Sequence, residues 1–94
     1  MVTKIKTRPF DPAEYLDTKE GQREYLAAAM ETNDAAFIAD AIGVVARARG
    51  MSSLASETGV NRQQLYKTLS PTGNPTLETL TKVMSALGMR LSVV

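Results

Sequence analysis

Apolar residues recur along this chain at spacings of three and four, which predicts helices over most of its length. Gln22, Tyr25, Leu26, Ala29 and Met30 form one side of a first helix over about residues 19–31. Asp17 or Thr18 can cap it, and Asp17-x-x-Glu20 has capping-box spacing. Ile38, Ala41, Ile42 and Val45 fall at i, i+3, i+4 and i+7 of a second helix, capped by Asn33 or Asp34 and ended after Arg49 by Gly50. A short third helix is expected from a Ser52 cap through Thr58, with Gly59 as the turn. Asn61 caps a fourth helix through Leu69, with Gln64 at its third position. Residues 70–75, a Ser-Pro-Thr-Gly-Asn-Pro run, read as a loop. Thr76 caps a fifth helix with Leu77, Leu80, Met84 and Leu87 on its core face and Gly88 at its end.

Towards the two ends the period changes. Residues 89–93 alternate apolar and polar and predict a short C-terminal β-strand, and residues 2–6 alternate more weakly. Residues 1–16 otherwise read as extended, because Arg8-Pro9 and Asp11-Pro12 bias the preceding residues away from helix. The expected class is an all-α domain of about five helices with a short C-terminal strand. Residues 1–32 form an N-terminal arm and helix, and residues 33–94 form the remaining domain. No internal repeat or low-complexity stretch interrupts it. A chain of 94 residues buries a modest share of its surface, so dimerisation would stabilise it. Met89, Leu91 and Val93 are the apolar set of the expected terminal strand, whose open edge suits pairing in a homodimer or with residues 2–6.

Composition narrows the chemistry. The chain has no Cys and no His. It therefore has no disulfide, no Cys/His metal site, no thiol nucleophile and none of the commonest general base. No metal, cofactor or catalytic residue is expected, and an enzyme is disfavoured. No run is apolar enough to cross a bilayer, and no apolar segment of a signal peptide follows Met1, so a cytoplasmic location is expected. The net charge of +1 conceals an asymmetry. Residues 1–40 carry five basic and eight acidic residues, a net of −3; residues 41–94 carry six basic and two acidic, a net of +4. The basic half suits phosphates and the acidic half a basic protein.

The stretch 51–69 joins these threads. Two short helices can cross steeply only where small residues allow it: Ala55 faces the crossing and Gly59 supplies the turn. Leu54, Val60, Leu65 and Leu69 then lock the pair onto its surroundings, in the spacing of a helix-turn-helix. The other face of the second helix offers Asn61, Arg62, Gln63, Tyr66 and Lys67. Arg pairs bidentately with guanine and Gln with adenine, and the first residues of a recognition helix reach base edges. Arg62, Gln63 and Lys67 are the expected base contacts. Ser52, Asn61, Gln64, Tyr66, Thr72 and Asn74 are the expected phosphate contacts. Tyr66 has two readings, a hydroxyl aimed at a phosphate or a ring stacked on a base. The predicted ligand is double-stranded operator DNA.

Several stretches carry a closer resemblance: Arg8-Pro-Phe-Asp-Pro-Ala-Glu-Tyr-Leu-Asp17, Ala46-Arg-Ala-Arg-Gly-Met51, Gly59-Val-Asn-Arg-Gln-Gln-Leu-Tyr66, Gly73-Asn-Pro-Thr-Leu-Glu-Thr-Leu80 and Ala86-Leu-Gly-Met-Arg-Leu-Ser92. Through them the chain resembles the HigA-type addiction-module antidote proteins, which carry a helix-turn-helix of the phage Cro/repressor kind. The resemblance implies an antitoxin that neutralises a cognate mRNA-endonuclease toxin and represses its own toxin–antitoxin operon as a dimer. A toxin that binds RNA is expected to be basic, which suits the acidic N-terminal half. Phe10, Tyr15, Leu16 and Tyr25 are its candidate anchors on the toxin, with packing on the chain's own core as the alternative. The rival functions are a free-standing prophage-type repressor without a toxin and a protein-interaction module without DNA binding. Glu14, Asp17, Glu20 and Glu24 read as solvated or partner-facing carboxylates, not a catalytic pair, and Met30, Met51, Met84 and Met89 read as core.

Overall fold

A computed structural model describes residues 12–93. These residues form a short 3-10 helix, Pro12–Tyr15, and five α-helices: α1 (Lys19–Met30), α2 (Ala35–Arg49), α3 (Met51–Thr58), α4 (Arg62–Thr68) and α5 (Leu77–Ala86). Four helices start on the side chains their sequences offer. Thr18 Oγ1 accepts from the Gly21 N–H, Asp34 from Ala36 and Phe37, Asn61 from Gln63 and Gln64, and Thr76 from Thr79. Each satisfies donors that the first turn cannot pair internally. At α1 the cap is therefore Thr18, and the Asp17-x-x-Glu20 spacing is not what closes the helix. At α3 the expected Ser52 cap is corrected. Met51 is already helical, Gly50 stands at the N-cap without a side-chain bond, and Ser52 lies exposed in the first turn. The physical reason is Met51: it is 4% exposed, and starting the helix there buries it.

The middle of the molecule is organised by α2, which packs against the 3-10 helix, α1, α3 and α4, while α5 packs against α3. One apolar cluster takes Leu26 and Ala29 from α1, Ile42, Val45 and Ala46 from α2, and Met51 and Leu54 from α3. Leu65 and Leu69 join it from α4 and its end, and Val83, Met84 and Leu87 from α5. The α5 face differs from the expected one at two positions. Val83 is fully buried, whereas Leu77 is 68% exposed, because the first turn of α5 extends past the rim of the cluster.

The predicted C-terminal β-strand does not form: the described residues contain no strand, and 89–93 have no regular structure. The reason is local closure of α5. Gly88 adopts φ +78°, its N–H donates to Ser85 O, and the Met89 N–H reaches back to Met84 O at 2.8 Å. This is a Schellman closure, in which the residue after the left-handed glycine packs on the preceding helix. Met89 accordingly packs against the core, not on a sheet face. Beyond it Leu91 and Val93 are exposed, 41% and 98%, with no strand beside them among the described residues. Alternation alone does not make a strand, because the backbone groups need a lateral partner. The weak strand expected over 2–6 lies outside the described residues.

Candidate nucleic-acid interface

The connection between α3 and α4 is built from three consecutive devices. Gly59 ends α3 at φ +75°, a left-handed conformation that costs a side-chain-bearing residue energy, and its N–H donates to Ala55 O. Thr58, nearly buried, donates its hydroxyl to Leu54 O at 2.7 Å and accepts from the Val60 N–H at 3.2 Å. Asn61 then opens α4. The two helices are thus held at a fixed turn by bonds inside the turn itself.

The seat of α4 depends on a residue outside it. A Cβ on Gly43 of α2 would stand 2.1 Å from the Leu69 carbonyl oxygen, so α2 and the end of α4 touch backbone to backbone. Ala55, the small residue singled out from the sequence, is partly buried and packs on the core. The tighter contact is at Gly43, which the sequence reading passed over although an isolated glycine inside a helical pattern is a signal of close approach. A second close approach shapes the loop after α4. A Cβ on Gly73 would stand 2.1 Å from Thr68 O and 2.6 Å from Lys67 O, and the Ser70 hydroxyl donates to Lys67 O. The loop therefore folds back on the last turn of α4, bringing Thr72 and Asn74, both exposed, beside it.

The resulting surface is chemically uniform. Leu65 is fully buried and Leu69 2% exposed, so one side of α4 is spent on packing. The other side carries Arg62, Gln63, Gln64, Tyr66 and Lys67, all exposed, and no carboxylate. Asn61 commits its side-chain oxygen to the cap, at 2.8 Å from Gln63 N, which leaves its amide NH2 as the group able to meet an acceptor. The Arg62 guanidinium carbon lies 5.8 Å from the centroid of the Tyr66 ring. Ser52 is exposed on α3. The face offers guanidinium, ammonium, amide and hydroxyl donors to an acceptor-rich ligand.

The N-terminal candidates divide. Leu16 and Tyr25 pack against the core, Tyr15 is 66% exposed, and Phe10 lies outside the described residues. The structure adds a polar clamp that the sequence did not announce. Gln22, 3% exposed, donates its amide to Leu16 O at 2.9 Å and accepts from Arg49, whose guanidinium also donates to Leu87 O at 3.1 Å. Arg49, counted in the basic half, thus ties the ends of α2 and α5 to α1. Glu78 and Lys82 pair at 3.4 Å on α5. Among the described residues no helix is long and apolar enough to cross a membrane.

Residues 6–94 match the sequence model of a family described as probable addiction module antidote protein. A Haemophilus influenzae protein described as uncharacterized is 43% identical over 86 residues, which covers 92% of this chain and 89% of that relative. No solved structure matches the chain.

Proposed function

The chain belongs to the family of probable addiction module antidote proteins, and from that premise we propose that it is a DNA-binding antitoxin. In this reading it represses its own toxin–antitoxin operon and neutralises a cognate mRNA-endonuclease toxin. Family membership carries the antidote role and implies a toxin partner. The DNA-binding part rests on one observation: α4 buries one side and exposes on the other a continuous set of cationic and amide side chains with no carboxylate among them.

In this mechanism α3 and α4 act as a helix-turn-helix, with α4 in the major groove. Arg62 and Gln63, in its first turn, and Lys67 one turn further on reach base edges. Ser52, the Asn61 amide, Gln64, the Tyr66 hydroxyl, Thr72 and Asn74 bind phosphates on either side and set the register. A twofold homodimer places two copies of α4 about 34 Å apart, one turn of DNA. The toxin docks on the N-terminal side. Tyr15 is the exposed anchor there, Phe10 is a further candidate anchor, and Leu16 and Tyr25 pack on the core.

The test is a titration of the full chain against a duplex from its own promoter and against random DNA of equal length. Log affinity should fall linearly with log salt, with a slope of about −0.9 per phosphate neutralised. Arg62→Ala should cost about 1–3 kcal/mol on the promoter duplex while sparing random DNA. A flat titration at low salt rejects the DNA-binding half. The antidote half is tested by expressing the adjacent small gene with and without this one: growth arrest relieved only by co-expression supports it.

A further inference from the structure

Arg62 and Tyr66 stand four residues apart on α4 and share one exposed face. Long side chains on a helix lean towards its N-terminus, so the Tyr66 ring leans over the turn that carries Arg62. The guanidinium lies 5.8 Å from the ring centroid, inside the range at which a cation is held by the face of an aromatic ring. No carboxylate stands on α4 to compete for it.

The choice of an aromatic partner has a chemical consequence. A carboxylate would hold Arg62 through its N–H edge, consuming the donors that could meet a base and cancelling the charge. A ring attracts the cation through its face without taking the charge-assisted hydrogen bonds a carboxylate would take, so the planar fork of donors stays available. That fork is the group that pairs bidentately with O6 and N7 of guanine. An unrestrained arginine would have to give up its rotamer freedom on binding; one already held against a ring has less to lose.

We propose that Tyr66 is a positioning residue: its ring holds Arg62 in the pose that reads a base, so discrimination at that base pair belongs to the pair of side chains. The proposal rests on the DNA-reading role of α4 and deepens it. It gives the ring a task separate from the hydroxyl, which remains free to meet a phosphate.

The experiment uses the full chain and a randomised duplex pool. Selection with the wild type recovers a preferred duplex, and selection with Arg62→Ala identifies the base pair at which preference is lost. The readout is the ratio of affinities for the recovered duplex and for one changed at that pair. Arg62→Ala should lower the ratio about ten-fold or more. Tyr66→Leu should lower it about two- to five-fold, the worth of an exposed cation–ring contact. Tyr66→Phe should leave the ratio unchanged, since the ring remains, while loss of the hydroxyl's phosphate contact weakens binding to both duplexes alike. In the Arg62→Ala background, Tyr66→Leu should lower the ratio no further. Tyr66→Gln, which keeps a long helix-favouring side chain without a ring, repeats the measurement if Leu disturbs the fold. Equal losses from Tyr66→Leu in both backgrounds overturn the proposal, and so does a loss in Tyr66→Phe as large as in Tyr66→Leu. A wild type that enriches no sequence overturns the DNA reading itself; an enriched sequence indifferent to the ring overturns only the pairing.

Discussion

α1 and α4 are both short helices with one side in the same apolar cluster, yet they distribute their polar residues differently. On α4 the buried positions are Leu65 and, just past its end, Leu69; every charged or amide side chain points outward. On α1 the polar Gln22 is itself buried, and Tyr25 packs on the core beside Leu26 and Ala29. The exposed charges differ as well. α1 mixes Lys19 and Arg23 with Glu20 and Glu24, whereas α4 carries Arg62 and Lys67 alone. A helix that separates packing from exposed chemistry can change its ligand contacts without changing its stability. A helix whose polar groups also hold the fold cannot.

The sharpest break should come from beneath α4. Gly43→Val places a branched side chain where a Cβ already meets the Leu69 carbonyl at 2.1 Å. We expect a loss of about 3 kcal/mol or more, with DNA binding falling in step with the folded fraction in urea titrations. A variant that folds as well as the wild type would show that α4 can be seated without this contact.

Next in size is the clamp on α1. Gln22→Leu removes the donor to Leu16 O and one of the two acceptors of Arg49, whose guanidinium keeps Leu87 O. The expected cost is about 1–3 kcal/mol of unfolding free energy from urea titrations, which would mark a polar residue of α1 as structural. Arg62→Ala, in contrast, should leave stability within about 0.5 kcal/mol, because its side chain is exposed and its one ring contact is at the surface. Comparing the two variants tests the separation directly: a thermal melt that drops as far for Arg62→Ala as for Gln22→Leu would erase it. A comparably small effect is expected at Lys82→Ala. It breaks a surface pair with Glu78 at 3.4 Å and should cost about 0.3–0.5 kcal/mol, less at high salt.

Much of the helical order was legible because it is local. Asp34, Asn61 and Thr76 cap the helices they were expected to cap, and Ile42, Val45, Leu65 and Met84 lie in the core as their spacing required. The errors sit where a local pattern competes with a neighbour. Ser52 has the chemistry of a cap, but burial of Met51 starts α3 earlier. Leu77 fits the periodicity of α5 yet lies beyond the edge of the cluster. Residues 89–93 have the alternation of a strand, but the closure around Gly88 binds Met89 back onto α5.

The candidate interface divides along the same line. The residue types on α4 are written in the sequence, since a helix capped by Asn61 with Leu65 and Leu69 inward must turn Gln63 and Lys67 outward, whereas Arg62 shares the side of Leu65 and Leu69 and is exposed at the start of the helix. Periodicity and capping act over three or four residues, so the sequence alone determined the five helices and the chemistry of the exposed face. The backbone contact of Gly43 with Leu69, the return of the loop at Gly73 onto α4, and the reach of Arg49 from Gln22 to Leu87 O join residues distant in the chain or fix how segments meet in space. Only the tertiary structure decided these, because they depend on which surfaces meet after the helices have formed, and no short-range pattern encodes that.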